Sequence, residues 1–375
     1  MAPRKEIIII DDLAPYPKYG AGCCRAADIY HALIDRGFNV TLYLQAGRAT
    51  DKEVFEAGRG HSRIRYIKNI DLPQLIGNLG PHLSHIWVSR PRNVKAFKDV
   101  LLEWKRRAPS KRRLISDTEA IASLRPLSFR QNIQLAENRA SCVAAAKEEL
   151  TLSQGFDAIV CVSEFEANLA QEVLPEVSVN QLESIFRPVL DTSSYAEREH
   201  FFFCGAVHTN RNPNIDSINW FSKRVWPIVK EALPSAEFHL AGFIGKDVVF
   251  PEVVKREAKI LGPVDELQPY YDKYRVFVAP TRVAAGVPYK VRHAMNGGIP
   301  CVITDLLASQ MPHPNDVQPF VTAPDQPVEF ARQCISLYSD PKKWHTVQQD
   351  AYAEIRRACS AEVFETALTK ILKHS

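Results

Sequence analysis

Nowhere in these 375 residues does an apolar run reach the roughly 18 residues that a membrane-spanning helix needs. The stretch Met1 to Glu6 is charged and runs into only four isoleucines, Ile7 to Ile10, the pattern of a buried strand rather than of a secretory leader. A cytoplasmic protein is the expectation. None of the eight cysteines forms a C-x-x-C pair. Cys23 and Cys24 are adjacent, while Cys161, Cys204 and Cys301 lie in or beside apolar runs, where a thiol behaves as a small hydrophobe. Reduced structural thiols follow from this, not a cysteine metal site or a disulfide framework. A dominant charge is missing too: 47 basic against 43 acidic residues leave a net +4, too little to mark a nucleic-acid binder. There is no internal repeat and no low-complexity segment.

What is present is an ordinary globular balance, 46% hydrophobic and 24% charged, on a chain too long for one core. Two domains of similar size are expected. Short apolar runs alternate with longer amphipathic stretches, the signature of βα units around parallel sheets. In the first half the strand candidates are Ile7 to Ile10, Val40 to Leu44, Ile64 to Ile67, His85 to Val88, Arg113 to Ser116 and Ala158 to Val162. A helix is expected from about Arg25 to Arg36, ended by Gly37. The second half restarts at Phe201 to Gly205, followed by a long helix from about Ile215 to Leu233. Strands then recur at Glu237 to Ala241, Ala258 to Leu261, Val276 to Ala279 and Cys301 to Thr304, and Pro341 to Leu372 reads as helices. These strands are continuous rather than alternating, as expected where both faces are covered. The polar stretch 191–199 reads as a linker between a domain over 1–190 and another over 200–375. Each would present the loops beyond its strand ends to a central cleft.

Tyr19-Gly20-Ala21-Gly22 joins the first strand to the first helix. Glycines there let backbone N–H groups approach an anion at a helix N-terminus. Gly20, Ala21 and Gly22 also fit a tight turn that needs small residues. Without a third spaced glycine, and with no acidic residue ending the second strand, a dinucleotide site is not indicated.

The most informative stretch is Val276 to Thr304. A buried strand ends at Pro280, the polar pair Thr281-Arg282 follows, and Gly286-Val287-Pro288 leads into a helix broken by Gly297-Gly298. Helical spacing turns Val291, Ala294 and Met295 towards the sheet and sets Lys290 and His293 on one face. A lysine at a helix N-terminus suits a diphosphate.

This segment resembles the donor-binding region of retaining GT-B glycosyltransferases of family 4, the "glycosyl transferases group 1" type, in a subgroup reading G-[VI]-x-x-K-x-x-E-A-x-x-x-G-x-P. Other stretches agree in order. Phe201 to Ala206 resembles the strand and phosphate loop that open the donor domain, and Pro213-Asn214-Ile215-Asp216 with Trp226-Pro227 and Leu233-Pro234 resembles the PN-x-D…W-P…L-P signature. Leu240-Ala241-Gly242 is similar to the I-x-G strand end, and Leu261 to Leu267 to the base-binding loop. In the first half, Asp117 to Arg125 and Val162-Ser163-Glu164 resemble the D-x-x-x-x-x-L-R and V-S-E stretches. The resemblance spans nearly the whole chain.

It implies an α/β GT-B fold of two Rossmann-like domains. The activity implied is transfer of a sugar from a nucleoside diphosphate sugar to a glycan or lipid-linked acceptor, with retention of anomeric configuration and no cofactor. Lys290 would neutralise the leaving diphosphate, assisted by Arg211 or His208, an electrostatic catalysis that needs no metal; the Asp-x-Asp motif of metal-dependent transferases is absent. Gly205, Ala206, Thr281, Gly286 and Val287 would line the donor, with Val264 at the base. His208 and Arg211 equally fit a solvated loop. The family's paired glutamates, eight residues apart, fall on Ala285 and His293. The second of these usually accepts from the ribose hydroxyls, and a neutral histidine can accept once but not as a bidentate carboxylate does. Altered donor preference, weaker binding and lost turnover are all compatible with that change. So is a non-catalytic nucleotide- or glycan-binding homologue, or an epimerase.

On the acceptor side, Asp117 and Glu119 stand at a strand end as candidate sugar or acceptor contacts, with Arg125 able to pair with either. A family histidine touches the transferred sugar near His82 and His85, though both also fit structural roles. Trp104 to Arg113 gathers six basic residues beside a tryptophan, which suits peripheral contact with an anionic membrane or a solvated helix end.

Overall fold

The structure, a computed structural model, describes residues 5–12, 14–15, 21–45, 64–66, 71–124, 135–210, 212–282, 284 and 286–373. They form two compact units.

In the first unit seven strands pair in parallel: β1 (Glu6–Asp11), β2 (Asn39–Leu44), β3 (Ile64–Tyr66), β4 (Leu83–Ser89), β5 (Arg113–Asp117), β6 (Ala158–Cys161) and β7 (Ser178–Gln181). Their order is β3-β2-β1-β4-β5-β6-β7. The isoleucines of β1 alternate between two apolar layers: Ile7 and Ile9 pack with helix Ala21–Asp35, Ile8 and Ile10 with helices Leu72–Leu79 and Pro91–Arg106. Both faces are covered, which is why the run carries no polar residue.

The second unit holds β8 (Glu199–Cys204), β9 (Phe238–Ala241), β10 (Lys259–Gly262), β11 (Tyr274–Ala279), β12 (Cys301–Thr304) and β13 (Val321–Ala323), again parallel, in the order β10-β9-β8-β11-β12-β13. Every expected strand is present. The two unexpected ones, β7 and β13, are short edge strands, and the polar Ser178, Asn180 and Gln181 of β7 hide it from an apolar-run reading.

The long helix expected from Ile215 to Leu233 is three pieces: Pro213–Trp220, a π-helical turn Phe221–Val225, and Trp226–Ala232. Pro227 has no N–H for the carbonyl four residues back, and the wider turn before it relieves that clash.

Residues 361–375, grouped by sequence with the second domain, belong to the first unit. In helix Ala361–Leu372 the residues Phe364, Leu368 and Ile371 form one stripe, packed with Ile7, Val40 and Leu182. His85 Nε2 contacts the Leu372 carbonyl at 3.1 Å, and Arg113 donates to the Ile371 carbonyl. The stretch read as a linker packs within the second unit. There Arg198 is fully buried, donating to the carbonyls of Ser193 (2.9 Å) and Tyr271.

In each sheet the strand order reverses at the first strand, between β1 and β4 and between β8 and β11. Loops beyond the carboxyl ends of such a pair diverge and leave room for a ligand.

Candidate functional site

At the second unit's reversal point, Gly205-Ala206 follows β8 and Pro280 follows β11. The β8 loop is zipped to the loop after β9. Val207 N–H donates to Phe243 O at 2.7 Å, Gly245 N–H donates to Val207 O at 2.8 Å, and Asn210 bonds Asp247 O and Val249 N–H. Glycine is required at 242: its φ is +135°, and a Cβ there would sit 2.7 Å from the Gly205 carbonyl carbon. After β11, Gly286 takes φ +75° and Pro288 caps helix Tyr289–Asn296.

Two polar residues of Pro213-Asn214-Ile215-Asp216, in the first turn of helix Pro213–Trp220, reach across to this segment. Asp216 takes Arg282 in a bidentate pair, 2.6 and 3.1 Å, with the guanidinium 5.5 Å from the Trp220 ring centroid. Asn214 Oδ1 accepts from Lys290 Nζ at 2.5 Å, and its amide nitrogen donates to Ala206 O at 2.8 Å. The ammonium lies 4.9 Å from the Phe203 ring centroid. Burial pushes the Lys290 amine down to about 8, opposed by the nearby Cys204 thiol; among the described residues no carboxylate offsets it.

Arg282 is thus neutralised by a carboxylate, whereas Lys290 is a half-buried cation held by a neutral amide. Buried charges are ordinarily paired, so an anion is the group this arrangement lacks.

The other expected donor residues distribute around this centre. Thr281 is buried and ties two strand ends together: its carbonyl accepts from Thr304 Oγ1 at 2.6 Å and its hydroxyl lies 3.5 Å from Ser217 Oγ. His208 is exposed, its ring 5.3 Å from that of the half-exposed Phe243. Val287 is buried, and Val264 follows β10 two strands away from β8. His293 shares the Lys290 face of its helix and meets Phe186 edge-on at 4.9 Å. Burial lowers its ring pKa, which favours neutral imidazole. Arg211 and Ala285 lie outside the described residues.

In the first unit, the ends of β1, β4 and β5 carry a charged cluster that sequence reading only touched. Asp117 is 1% exposed. It accepts from Arg25 at 3.0 and 3.1 Å, from Trp87 Nε1 at 3.1 Å and from Glu119 N–H at 3.0 Å. Expected to face substrate, it is walled in, because both its oxygens are taken by interior donors. Arg90, at φ +74°, spans Asp11 (3.1 Å), Asp12 (3.1 Å) and Glu119 (2.8 Å). Glu119, at φ +53°, is pushed up to about 8, by burial first and by Asp11 next, against the pull of Arg90. Burial also raises Asp11, which hydrogen-bonds Glu119. Two bulky residues held at positive φ and paired with each other store strain of a kind found at functional sites. Arg25 and Arg90 occupy the place expected for Arg125, which lies outside the described residues, as does Gly20. Ala21 and Gly22 fall in the first turn of helix Ala21–Asp35.

Residues 198–340 match the family model described as glycosyl transferases group 1. The match spans the second unit's sheet from β8 to β13. The fold as a whole is GT-B. Sucrose-phosphate synthase from Thermosynechococcus elongatus is similar at TM-score 0.65 and 15% identity, over 98% of both chains. Anabaena HepE in complex with UDP and glucose is similar at 0.67 and 15%, over 98% of this chain and 99% of that one. A glycosyltransferase from Rickettsia africae is similar at 0.66 and 11%, over 99% and 100%. No curated protein matches the chain by sequence.

Two expectations attached to the GT-B resemblance meet a different geometry. Trp104 is 3% exposed and packed in the apolar layer beneath β4, so its indole is not offered to a membrane. The basic residues beside it are largely engaged: Lys105 bonds Pro109 O (2.8 Å), Arg112 O (2.5 Å) and Asp157 (2.7 Å), and Arg106 and Arg107 pair with Glu103. Among the described residues no helix is long and apolar enough to cross a membrane. His85 is a structural histidine, its ring edge-on to Phe38 and bonded to Ser84 Oγ at 2.8 Å, whereas His82 is exposed.

Proposed function

We propose that the chain is a retaining glycosyltransferase that moves a sugar from a nucleoside diphosphate sugar to a glycan or lipid-linked acceptor, with the diphosphate held by the second unit. The observation that carries this is Lys290: a half-buried cation at the sheet's reversal point, with no carboxylate partner among the described residues, beside the Gly205-Ala206 turn and the start of helix Tyr289–Asn296. The solved HepE structures in complex with UDP, with UDP and glucose, and with UDP-glucose support a uridine diphosphate sugar as the first donor to try.

In this reading Lys290 and the helix N-terminus stabilise negative charge as the diphosphate leaves, and need no proton transfer to do so. Gly205 and Ala206 bring backbone close to the phosphates, and Gly286 and Val287 lead the chain into the helix beside them. Asp117 acts one step back, fixing Arg25 and the backbone of Glu119. Glu119 and Arg90 are then the more accessible groups for an acceptor.

His293 favours a second reading, a homologue that binds donor without turnover, because a neutral imidazole stands where a carboxylate would grip the ribose. Isothermal titration with UDP, followed by an assay of UDP-sugar hydrolysis, separates the two. The wild type should bind UDP and release sugar of unchanged anomeric configuration, read by proton NMR. Lys290→Ala should weaken UDP binding by about tenfold or more. Equal affinity of mutant and wild type would remove Lys290 from the donor site. Binding without hydrolysis would favour the second reading.

A further inference from the structure

We infer that Asn214 is the positioning residue of the donor site, fixing the Lys290 ammonium to the Gly205-Ala206 turn through a neutral acceptor that leaves the lysine's charge free for a diphosphate. The inference rests on the donor reading above.

Asn214 uses both ends of its amide. Oδ1 takes Lys290 at 2.5 Å and Nδ2 takes Ala206 O at 2.8 Å, so one planar group ties the turn after β8 to the helix after β11. Its own place is set twice. Asn212 Oδ1 accepts from its backbone N–H at 2.8 Å, and its amide packs over Gly205, in the space that a Cβ at 205 would need, 2.7 Å from Nδ2. A lysine stem has four rotatable bonds, and an ammonium fixed before the donor arrives costs less to order when it binds.

The neutrality of the acceptor is the second half of the argument. Two residues on, in the same helical turn, Asp216 meets Arg282 with a full carboxylate. An aspartate at 214 would bond Lys290 equally well but cancel its charge, and would turn an acceptor towards Ala206 O in place of a donor.

Two substitutions test this, with UDP affinity followed by isothermal titration from about pH 7, where a terminal phosphate is largely ionised, to about pH 10. Wild-type affinity should be flat at the lower end and fall above about 8, as Lys290 loses its proton before the ligand arrives. In Asn214→Asp the facing carboxylate favours the charged lysine, so the fall moves to higher pH, while affinity at pH 7 drops about tenfold. In Asn214→Ala the lysine loses an acceptor that favours its charged form, so the fall moves to lower pH. Opposite displacements support the inference. Affinity lowered in both variants with the fall unmoved would make Asn214 merely structural and overturn it. So would wild-type binding in both. If Lys290→Ala weakens UDP while the Asn214 variants bind like wild type, the donor reading stands without this step; if the wild type binds no UDP at any pH, both fail. Thermal unfolding of each variant confirms that it is folded.

Discussion

Arg282 and Lys290 stand eight positions apart, and the residues that meet them stand two apart, Asp216 and Asn214. One cation is neutralised and one is not, a division no local pattern announces. Lys290 itself was legible in the sequence, as a lysine placed between Gly286 and Gly297 at a helix start. Its partner was not, because the bond joins residues 76 positions apart and exists only once β8 and β11 are neighbours. Asp117 illustrates the reverse. A carboxylate at a strand end reads as a ligand contact, yet Arg25, Trp87 and the Glu119 N–H consume it from three elements. Removing it takes from Arg25, 4% exposed, the carboxylate that faces its guanidinium at 3.0 Å. Asp117→Ala should therefore cost about 3–5 kcal/mol of unfolding free energy, measured by urea denaturation. It should also weaken any activity through loss of the Glu119 loop. A variant as stable as wild type would return Asp117 to the list of substrate contacts.

At the scale of elements, apolar runs announce the central strands because both faces are covered. Phe201, Phe202 and Phe203 are all fully buried, the first two against aromatic neighbours such as Trp226 and Tyr274. The edge strand β7 and the π-helical turn escape such a reading. The first is polar at three of its four positions, and the second arises from the steric demand of Pro227 rather than from any periodicity. Glycine positions were legible as punctuation but not as geometry. Gly242 follows β9 with φ +135° against the Gly205 backbone, so its role belongs to two loops at once. Gly242→Ala should lose more than about 1 kcal/mol from backbone strain alone, with a further cost from displacing the Gly205-Ala206 turn. Because that turn carries the Ala206 carbonyl held by Asn214, UDP affinity should fall together with stability. Calorimetric melting and titration on one sample check both, and a lower melting temperature with unchanged affinity would show that the turn's position is not what the ligand reads.

For the whole molecule, the chain supplies its first unit from both ends of the sequence. Helix Ala361–Leu372 follows directly on helix Pro341–Cys359 of the second unit, and one residue, Ser360, separates them. Sequence alone grouped the two because they are continuous and both amphipathic; their different cores become visible only through the residues they cover. Phe364, Leu368 and Ile371 fill the layer against β1 and β2, and the backbone at Ile371 and Leu372 meets the buried Arg113 and His85. Each of those apolar side chains contributes about 1.5–3 kcal/mol when fully buried. Their sum is comparable to the roughly 5–15 kcal/mol that separates a folded domain from its unfolded chain. A chain ending at Ser360 should therefore lose the first unit's cooperative unfolding, although every residue of its sheet remains. Limited proteolysis would read this directly: cleavage should concentrate before Ile185, with fragments from 186–360 persisting longer. If the shortened chain melts as the full chain does, the terminal helix is an accessory to that core. If the first unit unravels, a helix at the far end of the sequence is part of what folds the chain's beginning.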